Sequence, residues 1–220
     1  MKERRVSNRE RIIETAIALM GEQGGGVGTS QIAEHLKISP GNLYYHFANR
    51  EEIVREVLRR LRKELSETLS LPASGEVDEA QLVTYYSEGA MVLWRYRFMV
   101  SSALELTQRD PELAKEYREF SIEGMDMVRR IIQKVVTRAP GAVHASDKDC
   151  VNLAENMWVL WNGWPRHAEF YRVNERVDQA SIAHGLELIA MTLAPYVDEK
   201  FHQRVKRGLH RFVEGLSQGL

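Results

Sequence analysis

The sequence predicts an all-α protein of about ten helices, a three-helix N-terminal head joined to a larger helical body. Two observations carry this. Helix-start signals recur along the 220 residues, and the apolar residues between them return every three or four positions, with little of the alternation that a strand needs. Composition agrees with a globular chain: 44% hydrophobic, 28% charged and only six prolines, in a length able to bury a sizeable core without covalent staples. No internal repeat or low-complexity segment interrupts the pattern.

In chain order, Ser7 with Glu10 forms an S-x-x-E capping box ahead of the stripe Ile13, Ala16, Ile17 and Met20. Gly24 to Gly28 stops that helix. Thr29 or Ser30 then caps a short helix holding Ile32, Ala33 and Leu36. Ser39 followed by Pro40 starts the next one, since proline at the first helical position sacrifices only an N–H that would be unpaired anyway. Asn49 with Glu52 opens a long helix through Ile53, Val57, Leu58, Leu61 and Leu65. The stretch Leu71 to Glu76 is linker-like, yet the functional boundary falls near Arg50: a head of residues 1–50 and a body of residues 51–220.

In the body, Asp78 starts a helix to about Arg97, and Asp110 with Pro111 starts another carrying Leu113, Tyr117, Phe120, Gly124, Met127, Ile131 and Val135. After a loop from Pro140 to Ser146, the helix from about Asp147 has two apolar stripes, and so has the helix from about Asp178. A helix apolar on two faces needs two surfaces to pack against. Pro165 after Gly163 should kink or end the first of these. The last helix has one stripe, Phe201, Val205, Leu209, Phe212 and Leu216, opposite a basic face.

Overall charge says little: the net is −1. Residues 1–50 hold seven Lys and Arg against five Glu, and the remaining 170 hold 23 against 26 acidic residues, a mildly basic head on an acidic body. The single Cys150 excludes an internal disulfide, and the chain starts with charges rather than a signal-peptide core. No stretch approaches a membrane span, which leaves the cytoplasm as the default location. The seven scattered His residues lack metal-ligand spacing, the glycine run follows a helix rather than a strand, and no nucleophile elbow occurs. No metal, cofactor or catalytic set is expected.

Helix, short turn, helix from Thr29 to Phe47 has the lengths of a helix-turn-helix, with Ile32, Ala33, Leu36, Leu43 and Phe47 as its core. Gly41, Asn42, Tyr45 and His46 are left facing outward. Asn pairs with the edge of adenine and an aromatic ring meets a thymine methyl, whereas the plainer alternative is a surface helix whose Tyr and His side chains only pack.

The run Thr29-Ser30-Gln31-Ile32-Ala33-Glu34-His35-Leu36, with Ser39-Pro40-Gly41-Asn42-Leu43-Tyr44-Tyr45-His46-Phe47-Ala48-Asn49-Arg50-Glu51-Glu52-Ile53, strongly resembles the tetracycline-repressor (TetR) family of bacterial regulators. The close resemblance spans about residues 7–62. It implies a sequence-specific transcriptional regulator, not an enzyme, that binds a pseudo-palindromic double-stranded operator as a homodimer and is released by a small-molecule effector. It also implies site residues: Thr29 and Ser30 at the start of the first short helix; Ser39 at the start of the second; Gly41, Asn42 and Tyr45 at the groove; Tyr44, His46 and Arg50 on phosphates, Arg50 standing where the family usually has lysine. The Arg4, Arg5, Arg9 and Arg11 cluster is either a minor-groove arm or a solvated terminus.

For the body, the resemblance implies dimerisation through the two-faced helices, with Trp158, Trp164, Ile182, Gly185, Leu186 and Ile189 at the interface and Ala183, Gly185 and Ala190 permitting close approach. Trp94, Phe98, Met99, Tyr117, Phe120, Met125, Met157 and Trp161 are the candidates for an apolar or aromatic effector pocket, and equally the materials of a plain core. Two alternatives remain at this point: a helical small-molecule enzyme or carrier that only resembles a DNA reader, and a DNA-binding dimer without a ligand. Effector, operator, target genes and the sign of regulation are not written in the sequence.

Overall fold

In the computed structural model, which describes residues 7–171 and 179–218, eleven α-helices and one 3₁₀ turn follow one another. They are α1 (Asn8–Gln23), α2 (Thr29–Leu36), α3 (Pro40–His46), α4 (Arg50–Thr68), α5 (Glu79–Arg95), α6 (Arg97–Ser101), α7 (Ala103–Arg109), α8 (Pro111–Arg138), α9 (Asp147–Tyr171), α10 (Gln179–Leu193) and α11 (Glu199–Gln218). Arg4, Arg5 and Asp178 lie outside the described residues, as does the side chain of Ala183. No strand occurs among the described residues.

Most start signals act where expected. The Ser7 hydroxyl accepts from the Glu10 N–H at 3.2 Å, and that of Ser39 from the Asn42 N–H at 3.2 Å, with Pro40 as first helical residue. Asn49 Oδ1 accepts from the Glu52 N–H, while the Glu52 carboxylate reaches the N–H of Ala48 rather than of Asn49. The second helix departs from expectation. Its N-cap is Gly28, and Gln31 Oε1 accepts the Gly28 N–H at 2.9 Å, so Thr29 is the first helical residue rather than a cap. Between residues 97 and 109, where the sequence predicted no separate helix, α6 and α7 form.

The chain divides into two compact units, residues 1–63 with 95–119, and residues 64–94 with 120–220. By compactness the N-terminal unit is therefore larger than the fifty-residue head, taking in α6, α7 and the first turns of α8. In this unit α1, α2 and α3 pack around Ile13, Met20, Ile32, Leu43, Phe47 and Ile53, all at most 1% exposed. Ion pairs frame that core: Arg60 holds Glu10 and, at 2.6 Å, Glu14; Arg55 holds Asp110 at 2.6 Å; Arg59 holds Glu116 at 2.6 Å. Pairs this close to the surface are worth at most about 1 kcal/mol each. Arg55–Asp110 is the exception, because Asp110 is buried and its other oxygen caps α8 by accepting the N–H groups of Glu112 and Leu113.

In the second unit, three tryptophans of α9 each lie where another helix presents a glycine. A Cβ on Gly89 of α5 would stand 2.5 Å from the Trp161 ring, one on Gly124 of α8 2.2 Å from Trp158, and one on Gly185 of α10 2.7 Å from Trp164. Any larger residue would force these rings away, so the glycines set how closely α9 packs with its neighbours. Pro165 does not end α9, which runs on to Tyr171. Proline removes only one helical N–H, the one that would have reached the Trp161 carbonyl, and packing on both faces holds the rest. α11 closes the unit as a one-sided helix, with Phe201, Val205 and Leu209 buried and Arg204, Lys206, Arg207, His210 and Arg211 exposed.

Candidate DNA interface and effector cavity

α2 and α3 meet through a three-residue turn that places Lys37 in the left-handed region, φ 55°, where the Lys37 N–H caps the Glu34 carbonyl. Leu43 and Phe47 anchor α3 from beneath. Its outer surface then carries what a groove reader needs. Gly41 and Asn42 are exposed, and Tyr45 is 84% exposed, with its ring edge-on to His46 at 5.1 Å. An aromatic so little buried contributes almost nothing to folding, and its position is set by the helix that bears it. Asn42 Oδ1 accepts a long bond, 3.4 Å, from Asn8 Nδ2, which leaves its amide group for a base edge.

Two residues expected on phosphates come together. The Thr29 and Tyr44 hydroxyls lie 3.2 Å apart, joining the N-terminus of α2 to the side of α3. Ser30, Ser39 and Tyr44 are exposed and His46 is half-buried. Arg50, expected on a phosphate, is engaged within the protein. Its Nε donates to the Val27 carbonyl at 2.9 Å and another guanidinium nitrogen donates to Gly25, so its fork grips the glycine loop that leads into α2. A lysine, with one ammonium, could not span both carbonyls in this way. Arg9 stacks over Phe47 at 5.0 Å and pairs with Glu56, and that hydrogen bond holds the Glu56 carboxyl below its ordinary range.

In the second unit two apolar cavities flank Trp161. One, about 50 Å³, is lined by Trp94, Trp161, Trp164, Pro165, Ile182 and Leu186 among others; the second, about 20 Å³, lies among Tyr85, Tyr86, Met157, Trp158, Trp161 and Ile189. Trp161 and Ile189 line both. Neither lining contains a charged side chain. Burial raises the Tyr86 hydroxyl well above its ordinary value, so it stays neutral, and Tyr85 donates to the Ser70 carbonyl at 2.8 Å. The Trp161 indole N–H is different. It is buried and is the one such side-chain polar atom among the described residues without a hydrogen-bond partner, a state that costs about 1–3 kcal/mol.

Of the residues expected at an effector pocket, Trp94, Met157 and Trp161 line these cavities. Phe98, Met99 and Tyr117 do not: they belong to the other unit, where Phe98 and Met99 are core and burial pushes the Tyr117 hydroxyl up to about 12. Phe120 packs on Trp158, ring centroids 5.4 Å apart, and neither it nor Met125 lines a cavity. The expected dimer residues Trp158, Trp164, Ile182, Gly185, Leu186 and Ile189 turn inward and line the cavities. The stripes of α9 and α10 are buried in large part within the unit, with Val151 and Met191 left exposed. What these helices expose includes Val159, Phe170 and Met191, each more than 60% accessible. Gly89 and Gly124 escaped the sequence reading as site residues, although glycine within a helical pattern is itself a sign of close packing.

A family model described as bacterial regulatory proteins of the tetR family matches residues 12–57, and one described as a bacterial transcriptional repressor matches residues 60–205. Among solved structures, a TetR-family transcriptional regulator from Marinobacter aquaeolei VT8 is similar over 94% of this chain and 98% of its own, at 25% identity and a TM-score of 0.81. The ketosteroid transcriptional regulator KstR2 of Mycobacterium tuberculosis is similar over 88% and 96%, at 18% identity and TM-score 0.60, and a gamma-butyrolactone receptor over 93% and 96%, at 16% and 0.62. Fold and interface together define a helix-turn-helix, DNA-binding transcription regulator rather than an enzyme. The chain belongs to the TetR family. Among the described residues no helix is long and apolar enough to cross a membrane.

Proposed function

We propose that the protein is a homodimeric repressor that binds a pseudo-palindromic operator in the cytoplasm and leaves it when a small, largely apolar molecule enters the second unit. The observation that carries the reading is the exposed set Gly41, Asn42 and Tyr45 on α3, beside the Thr29–Tyr44 hydroxyl pair. One such helix reads only a few base pairs, so a second copy a helical turn of DNA away must share the task. Gly41, Asn42 and Tyr45 meet base edges. Thr29, Ser30, Ser39, Tyr44 and His46 position the backbone, and Arg50 acts through the glycine loop that it grips. The exposed apolar side chains of α9 and α10 suit the pairing of two copies better than the inward residues do.

The apolar cavities support an effector of matching character, as do the ketosteroid and butyrolactone named for two similar structures. α4 is continuous from Arg50 to Thr68 and so belongs to both units, which makes it the carrier of the signal. An effector acts only if it binds the two arrangements of the heads unequally.

The test is selection of bound sequences from random duplex DNA, followed by gel shift at low salt, where counterion release favours binding. Recovery of an inverted repeat bound by two chains is expected. Failure to enrich any sequence, or enrichment of a single unrepeated half-site, would refute the reading.

A further inference from the structure

We infer that the two cavities beside Trp161 form one effector site for an uncharged, mainly apolar molecule with a single hydrogen-bond acceptor, such as a ketone, lactone or ester, whose oxygen takes the Trp161 indole N–H. The inference rests on the proposed effector response and names the chemistry that response requires. Its first ground is the unpartnered, buried donor: a buried N–H is nearly always paired in a finished structure, and the missing partner here is an acceptor. An alcohol or neutral amine could accept it too, but each brings a donor of its own that needs a further acceptor, and a carboxylate or ammonium would enter linings that hold no opposite charge.

The second ground is position. Trp161 lines both cavities, so its indole stands between them. Each alone, at about 50 and 20 Å³, is smaller than the roughly 150 Å³ that takes a benzene ring. Together they still hold less than that, so a ring-sized ligand needs the two joined and their walls widened, by movement of the Trp161 and Ile189 side chains that line both. Pro165 has no N–H to give the Trp161 carbonyl, so the backbone that bears the indole lacks one helical restraint. The ring itself lies closely on Gly89 of α5. The flexible Met157 sits beside it.

A third feature separates this site from the surface. The groove along α10 and α11, about 560 Å³, is lined by Lys206, Arg207, His210 and Arg211 with Glu187 as its one carboxylate, a net positive charge that suits an anion better. The cavities at Trp161 exclude such a ligand, so charge distinguishes the two.

The experiment uses the full-length protein with three probes of similar size: acetophenone, ethylbenzene and benzoate. Binding is followed by calorimetry and by the indole N–H signals of protein labelled with ¹⁵N-tryptophan, which has four such groups. Acetophenone should bind roughly tenfold tighter than ethylbenzene, the value of one net hydrogen bond, and shift the Trp161 signal downfield. Ethylbenzene should bind without that shift, and benzoate should leave the signal unmoved. Trp161→Phe keeps an aromatic ring, smaller than the indole, and removes the donor, so it should equalise the ketone and hydrocarbon affinities within the variant, whatever the enlarged cavity does to both. Equal affinities in the wild type, or a ketone preference surviving in a folded Trp161→Phe, would overturn the inference while leaving an effector response intact. The wild-type comparison decides even if the variant does not fold. No binding of either neutral probe at millimolar concentration would overturn it too, and operator release by some other compound would then show that the wider reading still stands.

Discussion

Two sets of aromatic residues, one on α3 of the first unit and one on α9 of the second, are put to opposite uses. In the first, Tyr44 and Tyr45 stand in solvent on a seven-residue helix pinned by Leu43 and Phe47. In the second, Trp158, Trp161 and Trp164 press inward against glycines of three other helices. Outward aromatics serve a partner and contribute little to folding; inward ones hold the fold and shape the space inside it. Damage should accordingly separate: recognition without loss of stability in one unit, stability and cavity shape together in the other.

The largest effect should come from filling a glycine notch. Gly124→Val places a branched side chain where even a Cβ would lie 2.2 Å from the Trp158 ring, and unfolding by urea should show a loss of about 3 kcal/mol. Gly163, on the same helix as the tryptophans but with nothing within 4 Å of a built Cβ, should respond oppositely, Gly163→Ala adding about 0.5–1 kcal/mol. Similar destabilisation at both positions would erase the contrast drawn for the second unit.

Next in size is Asp110→Ala in the first unit, which removes the α8 cap and strands Arg55; a decrease of about 2–3 kcal/mol in the same assay is expected. Asp110→Asn keeps a capping oxygen and should lose less. Tyr45→Ala should leave the melting temperature unchanged and weaken operator binding about tenfold in a filter assay. A matching fall in melting temperature would mean that Tyr45 packs rather than reads.

The smallest effect is that of acid. The Arg9 hydrogen bond depresses Glu56 in the first unit, and Arg129 with Arg130 depresses Asp126 in the second. Each group's folded value lies below its unfolded one. Their stabilisation is therefore complete above the unfolded values of 4.5 and 3.8 and fades as pH falls through the lower folded values. Stability followed from pH 6 down to about 3 should show this loss in the wild type, reduced in Arg9→Ala.

How much could be read in advance differed between the units for the same physical reason. Ser7, Ser39 with Pro40, Asn49, Asp78 and Asp110 each cap a helix through groups within four residues, so their meaning is local. The breaks at Tyr96 and Ser102, which separate α5, α6 and α7, carry no proline or glycine and come from packing, so they stayed hidden. Arg50 shows the same limit: its charge suits a phosphate, and only the folded loop reveals the Val27 and Gly25 carbonyls waiting for it.

By itself the sequence determined the all-helical class, the pair of short helices at Thr29–Phe47 and the residues that α3 leaves exposed. Helical periodicity and capping act over a few residues, and a seven-residue helix with two buried anchors leaves its other side chains only one way to face. Tertiary structure decided which apolar residues enclose a cavity and which lie outside it. Trp94 and Trp161 gained that role, and Phe98 and Met99 became core. The six residues expected at a dimer surface line the cavities of the second unit, a placement that a two-striped helix does not reveal by itself. That placement follows from Gly89, Gly124 and Gly185, whose missing side chains admit the indole rings from as much as 72 residues away along the chain.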